Sequence, residues 1–472
     1  MEERLEQERL RKLEALRRKG IDPYGSRFDG VVAIGDLTAN YQEGRKARIA
    51  GRMLVVRNFG KAAFVDVRDS TGKIQLYIRK DHLGEEGFAL FGLLDLGDLV
   101  GVDGALAKTR TGEITLFAEK LCILSKALLP PPEKWHGLQN VEIRYRQRYV
   151  DLFANPEVMQ TFKKRARIVA AIRRYLDARG FLEVETPMMQ AIPGGAAARP
   201  FITHHNTLDM DLYMRVSPEL FLKRLLVGGM ERVYEINRNF RNEGISSRHN
   251  PEFTMMEVYQ AYGDLAEMMD LTEGVFAACL EEIQAGPEMP FGEHNLNFSR
   301  PWARRKWNDL LKEYAGVGLE DEEGLRRRAQ ELGREATGDL AAVADRLFET
   351  CVERQLVQPT FVADYPVALC PLTKVSAADS RFAERFELYI SGMECANAYT
   401  ELNDPLDQQQ RFEKQIEQQP GQVRMVDEDF IRALKFGMPP AGGLGIGIDR
   451  LVMILTNSTC IRDVILFPLM RQ

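Results

Sequence analysis

The sequence predicts an α+β protein in two folded parts, a small β-barrel followed by a larger mixed domain. Three observations predict it. A chain of 472 residues with 45% apolar content can bury more than one core. Residues 46–125 alternate apolar and polar in short runs, whereas the remainder interleaves amphipathic helical stretches with strands. Pro130-Pro131-Pro132 marks a linker. The expected divisions are 1–45, an N-terminal charged helix and linker; 46–125, the barrel; 126–150, a hinge; and 151–472, the large domain.

The N-terminal stretch mixes glutamates and basic residues at three- and four-residue spacings and sets Leu10, Leu13 and Leu16 along one side, which predicts a charged amphipathic helix. Five strands follow, at Ala47–Val56, Ala62–Arg68, Lys73–Ile78, Leu99–Lys108 and Glu113–Leu124, separated by Gly-Lys, Ser-Thr-Gly and Thr-Arg-Thr-Gly turns. So many strands in so short a segment fit an OB-fold barrel, a frequent binder of single-stranded nucleic acid. Phe64 and Gln75 share strand parity; Phe64 can stack on a base or fill the barrel core. A net charge of −6 gives no global attraction to RNA, so attraction has to be local. Candidate patches are Arg9, Arg11, Lys12, Arg17, Arg18 and Lys19, and Arg144, Arg146 and Arg148 in the hinge.

In the large domain, Phe240-Arg-Asn-Glu-Gly-Ile-Ser-Ser-Arg-His-Asn-Pro-Glu-Phe253 follows a strand expected over Val233–Arg241. An arginine beside a carboxylate at a strand end suits ATP: a guanidinium pairs with phosphate oxygens, a carboxylate accepts the adenine amino group and an aromatic ring stacks on the base. Gly443-Leu-Gly-Ile-Gly-Ile-Asp-Arg450 lacks the spacing of the dinucleotide fingerprint. Its alternate glycines free one face of a strand for a ligand, and the segment from Asp449 onward predicts a buried helix. Either block alone also fits a surface ion pair or a turn; the pairing points to a nucleotide site.

A third block, Arg179-Gly-Phe-Leu-Glu-Val-Glu-Thr-Pro187, follows a basic amphipathic stretch from Phe162 to Arg179. In this order the three blocks resemble the signature motifs of class II aminoacyl-tRNA synthetases. More narrowly, the chain is similar to class II lysyl-tRNA synthetases from about Arg48 to its end. The resemblance is densest at Ile192-Pro-Gly-Gly195, Ser217-Pro-Glu219, Arg241 to Glu257, Glu387, Glu394-Cys-Ala-Asn-Ala-Tyr-Thr-Glu401 and Ile461 to Pro468. It implies an antiparallel sheet flanked by helices in the large domain, and a homodimer built on the first block.

By that resemblance, Arg241 and Arg450 are the catalytic arginines, and Arg241, Glu243, Asn250, Phe253, Glu387 and Arg450 bind ATP. Glu387 and Glu394 carry catalytic Mg2+, in keeping with the preference of magnesium for carboxylates with substrate phosphates and water. L-lysine falls to Gly195, Glu219, Glu257, Tyr259, Asn397, Tyr399, Glu401 and Gly445, and the tRNA(Lys) anticodon to Arg57, Phe64, Gln75 and Glu113. Glu257 shares parity with Tyr259, and Asn397 with Tyr399 and Glu401, so each set can face one cavity. A buried ammonium requires converging carboxylates, whereas the sister enzymes for aspartate or asparagine, with an acidic side chain to hold in the former, need a cation there. Ala398-Tyr399 and Cys370-Pro-Leu-Thr-Lys374 depart from the Gly-Phe and Ser-Pro-Leu-Ala-Lys common in bacterial relatives.

The implied chemistry needs no enzyme nucleophile, so His204, His205 and His249 receive no role as general base. Two rivals exist, a relative that lysylates protein and an RNA-binding protein with a dead catalytic domain. The front barrel opposes the first; retention of Arg241, Glu243, Glu387, Glu394 and Arg450 opposes the second. Six cysteines without a Cys-x-x-Cys pair argue against zinc and against a disulfide framework. No apolar run approaches the roughly 20 residues of a membrane helix, and the first residues do not resemble a signal or transit peptide, so a cytoplasmic protein without membrane contact is expected.

Overall fold

The computed structural model describes residues 2–132, 138–196, 198–418 and 426–471. The chain divides into two compact units, Met1–Asn140 and Val141–Gln472. Within the hinge, residues 133–137 lie outside the described residues.

In the first unit, strands β1 (Lys46–Asn58), β2 (Ala62–Arg68), β3 (Lys73–Arg79), β4 (Leu99–Lys108) and β5 (Ile114–Ser125) close a barrel in the order β1-β2-β3-β5-β4. Only β3 and β5 pair in parallel. The period-two pattern puts Val65, Val67, Ile74, Leu76, Val102 and Leu116 in the core. The N-terminal helix Glu2–Arg18 forms as expected, with Leu13 and Leu16 buried. The basic patch on it is only partly available. Arg9 is buried and donates to the carbonyls of Leu96, Ala127 and Leu129, and Lys12 pairs with Asp95 at 2.6 Å. Charge spacing gave no sign of this, because the carbonyls Arg9 saturates belong to loops far along the chain. Arg11, Arg17, Arg18 and Lys19 remain exposed.

The hinge arginines belong to the second unit, where Arg148 and Arg144 serve the interior and Arg146 stays exposed. Arg148 is fully buried against Asp151 and the carbonyls of Arg462, Ile465 and Leu466, Arg144 pairs with the same Asp151, and Arg146 pairs with Glu142. A buried guanidinium is retained where its donors are matched this way, so Arg148 offers RNA nothing.

The large sheet comprises β6 (Leu182–Glu183), β7 (Arg232–Phe240), β8 (Glu252–Ala261), β9 (Ala303–Lys306), β10 (Thr360–Pro366), β11 (Phe382–Ile390), β12 (Met393–Thr400) and β13 (Ala441–Gly447). Their spatial order is β9-β10-β11-β12-β13-β8-β7-β6, antiparallel except for the edge pairs β6–β7 and β9–β10. The helices Pro156–Asp177, Leu265–Glu282 and Ile448–Leu455 contribute Ile168, Ile172, Phe276, Val452 and Ile454 to one apolar core with the sheet residues Met256, Val258, Phe386 and Ile446. Residues 303–350 read as helical from the sequence, yet they open with β9. Ala-Arg-Arg-Lys is exposed throughout and has no apolar period; pairing with β10 makes it a strand, and its charges suit a sheet edge.

Candidate active site

Strand register builds the site. Glu257 on β8, Gly445 on β13, Asn397 on β12 and Glu387 on β11 stand in one transverse row. The next row on the same face holds Tyr259, Gly443, Tyr399 and Arg385. Paired residues share a face, so the two glycines leave a trough between walls of polar side chains. The trough opens into a cavity of about 1140 Å³, lined among others by Gly195, Glu219, Arg241, Glu243, Asn250, Phe253, Glu394, Gly447 and Arg450.

The nucleotide block begins where β7 ends. The strand stops one residue short of the expected end, so Arg241 sits just beyond it with Glu243, whose N–H donates to the Arg241 carbonyl. The Arg241 guanidinium lies 5.2 Å from the Phe253 ring centre, and its Nε is buried without a hydrogen-bond partner. Asn250 is likewise buried with its Oδ1 unpartnered. Orphaned donors and acceptors in a cavity wall are groups that a polar ligand satisfies. Opposite, Arg450 donates to the Glu394 carbonyl and meets His249 Nε2 at 3.0 Å. Burial first, then the charge of Arg450, lowers the His249 pKa and keeps the ring neutral.

At the other end of the trough the three acidic residues converge. Glu219, Glu257 and Glu401 are all buried, and Tyr259 donates to Glu257 at 3.0 Å. Ser217 links the group, donating to Glu257 at 2.8 Å and accepting from the Glu219 N–H at 3.0 Å. Burial, reinforced by Glu219, pushes Glu257 up to about 7. Burial also raises Glu401 to about 8, against the opposing charge of Lys223. Glu401 falls one residue beyond β12 and is not part of the cavity wall; its carboxylate packs where a Gly443 side chain would stand. The sequence reading gave no role to Lys223, which bridges Glu219 and Glu401 from inside. Its spacing of one helical turn from Glu219 is the signal that could have found it.

The glycines do more than admit a ligand. A methyl at Gly443 would lie 1.8 Å from Glu401 Oε1, and one at Gly445 2.5 Å from Met255 Cε, so protein side chains already use part of the space they leave. Gly195 needs its glycine for a different reason, a φ of +87°.

Residues 140–471 match the profile of tRNA synthetases class II (D, K and N), and residues 47–124 match that of the OB-fold nucleic acid binding domain. The chain belongs to the class II tRNA synthetases. It is 54% identical to the lysine–tRNA ligase of Pelotomaculum thermopropionicum over 98% of this chain and 94% of that protein. Against the proteins of the same description from Syntrophomonas wolfei and Carboxydothermus hydrogenoformans the identities are 52% and 53%, covering 99% and 98% of this chain and 97% of each relative.

Class II synthetases use ATP and magnesium, and the donor set in this one fits the ion. Glu394 opens to the cavity and Glu387 lies on the neighbouring strand. Among the described residues no three ligating side chains gather, so a magnesium here depends on phosphate and water for its other ligands. Glu387 is fixed tightly: Tyr365 and Tyr389 donate to its Oε2 at 2.8 and 2.6 Å, and Asn397 and Arg385 hold its Oε1. A magnesium held by Glu387 would compete with Arg385 and Asn397 for the lone pairs of the Glu387 carboxylate. Arg385, another residue unassigned from sequence, is half-buried, lines the cavity and lies over the rings of Tyr365 and Tyr399.

The barrel of this synthetase carries a second candidate surface. Arg57, Phe64, Tyr77 and Phe117 stand in a row across β1, β2, β3 and β5, with Asp66, Gln75 and Thr115 in the adjacent row of the same face. Phe64 lies half-buried on this outer face, stacked on Tyr77 at 4.9 Å, which excludes the core-filling reading. Asp66 steadies Arg57 at 3.1 Å, and Thr115 donates to Gln75 at 3.0 Å. Glu113 is exposed just ahead of β5.

Proposed function

We propose that the chain is a lysine–tRNA ligase, which activates L-lysine with ATP to lysyl-adenylate and transfers lysine to the 3′ end of tRNA(Lys). One observation carries the choice of amino acid: Glu219 and Glu257, both buried, line one end of a trough whose other end presents Arg241 and Arg450, and Glu401 lies buried behind that acidic end against Gly443. An acidic substrate side chain would meet carboxylates there, and a neutral one would leave uncompensated the negative charge that Lys223 only partly offsets.

Arg241 takes the α-phosphate, Phe253 stacks on adenine, Glu243 and Asn250 hold the base and phosphates, and Arg450 covers the opposite side. Gly195, Asn397, Tyr399 and Gly445 shape the pocket around the amino acid, while Tyr259 and the acidic residues receive its amines. Glu387 and Glu394 would hold magnesium, which when bound neutralises phosphate charge. The lysine carboxylate then attacks the α-phosphorus in line, pyrophosphate leaves, and the two arginines offset the charge that spreads; no protein nucleophile takes part. On the barrel, Phe64 stacks on an anticodon base, Gln75 and Glu113 read base edges, and Arg57 approaches the backbone.

We also read the enzyme as a cytoplasmic homodimer. Leu182 and Met189, in and beside the first signature block, are exposed, as is Ile202, and a two-fold interface would cover them. No helix among the described residues is long and apolar enough to cross a membrane.

Two assays test the reading on the intact chain. Lysine-dependent pyrophosphate exchange is expected without tRNA, and charging of unmodified tRNA(Lys) with it. Exchange without charging would favour lysylation of a protein, and absence of exchange would leave an RNA-binding protein.

A further inference from the structure

The helix Glu219–Val227 places two charged side chains at the acidic end of the trough: Glu219, which lines it, and one turn later Lys223, which lies buried behind it. No part of the Lys223 side chain reaches solvent. Its ammonium lies 2.8 Å from Glu219 Oε1 and pairs with Glu401 Oε2, the two carboxylates that a substrate amine has to use. A buried ammonium with no partner would shed its proton; here burial works against the charge, and Glu219 and Glu401 outweigh it. Both Glu401 oxygens are buried without a well-directed hydrogen bond; Oε2 has the ion pair with Lys223, while Oε1 has no cation and lies against the bare Cα of Gly443.

The charge count gives this arrangement a consequence. With every group ionised, the three carboxylates bring three negative charges and Lys223 returns one, leaving two. A diamino acid with both amines protonated supplies two positive charges, and its carboxylate belongs at the phosphate end near Arg241. Without Lys223 a third negative charge would need a proton or a further cation.

We propose that Lys223 is a specificity-determining positioning residue: by occupying Glu219 Oε1 and Glu401 Oε2 it fixes both carboxylates, sets the pocket to accept two ammonium groups, and leaves Glu401 Oε1 as the acceptor for the side-chain amine. The inference rests on lysine being the substrate. The groups that face Lys223 are Glu219 on its own helix and Glu401 just beyond β12; these carboxylates in turn feel Glu257 and Tyr259 on β8 and Tyr399 on β12, and Arg215, which acts on Glu257, is paired with Glu235.

The test uses Lys223→Met, which removes the charge at similar length, and Lys223→Arg, which keeps it. Exchange kinetics give KM for lysine and for ATP across pH, and calorimetry in two buffers of different ionisation enthalpy counts protons released when lysine binds. In Lys223→Met, the lysine KM at neutral pH is expected to rise about tenfold or more while the ATP KM stays within about twofold. Its fall with rising pH should shift to more alkaline values, and lysine binding should release more protons than in the parent. Lys223→Arg should restore the position of the pH profile even where its bulk raises KM. If Lys223→Met fails to fold, Lys223→Gln takes its place, and a Gln variant with the parent's KM and profile overturns the proposal. So does a Met variant whose lysine and ATP KM rise together with no change in the pH profile. A parent enzyme with no lysine-dependent exchange would instead overturn the substrate assignment.

Discussion

The Glu401 carboxylate lies against the bare α-carbon of Gly443, close enough that a single added methyl would stand 1.8 Å from its Oε1. Neither residue can change alone. Gly443→Ala has to displace Glu401, and the Tyr259 ring, 2.7 Å from the same methyl, blocks one escape. The variant is expected to lose about 1–3 kcal/mol of stability through overpacking. Its lysine KM should rise well before its ATP KM, measured by exchange; equal effects on both would place the damage outside the amino-acid pocket.

Arg241→Ala tests the phosphate end. Removing one preorganised charge donor should lower lysine-dependent exchange roughly 100- to 1000-fold, with the circular dichroism spectrum and melting temperature close to the parent's. Arg241 sits just beyond β7, and its Nε has no hydrogen-bond partner to lose. Retained exchange would remove this site as the catalytic centre.

Ornithine tests the depth of the acidic end. One missing methylene is worth about 1–3 kcal/mol, so ornithine should support exchange roughly 10- to 200-fold less efficiently than lysine. Complete inertness would mean that the pocket rejects the shorter side chain by something beyond lost contact.

The ligand-free protein should lose stability as pH rises from acid toward 8. Burial lifts Glu257 to about 7 and Glu401 to about 8, above the ordinary 4.5 of a glutamate. A carboxyl whose pKa is higher folded than unfolded stabilises the fold while it holds its proton, and that contribution drains between 4.5 and the raised value as pH increases. Lysine needs the ionised carboxylates. Its stabilising effect, read as a shift in melting temperature, should therefore be larger at about pH 8 than at about pH 6. A lysine-induced shift that shrinks with pH would contradict this.

Phe64→Ala separates the two units by function. Losing one stacked ring should cost about 1–3 kcal/mol of tRNA binding, seen as a raised KM for tRNA in aminoacylation, while exchange without tRNA stays at the parent's rate. A matching loss in exchange would show that the substitution had damaged more than the RNA face.

The amino-acid sequence by itself determined the five barrel strands, the shared parity of Phe64 with Gln75 though not the face they take, and the shared parity of Glu257 with Tyr259. These follow from the period-two geometry of a strand and need no knowledge of distant contacts. The tertiary structure alone decided which charges are free. Arg9, Lys12 and Arg148 look in the sequence like surface cations, yet they are consumed by carbonyls and carboxylates from far along the chain. It also decided that Gly443 and Gly445 stand between Tyr259 and Tyr399 and between Glu257 and Asn397, because inter-strand register joins segments far apart in the chain, which no local pattern encodes. Lys223 combines both causes: its turn of helix from Glu219 is written locally, but its partnership with Glu401 exists only once the sheet has closed over the helix.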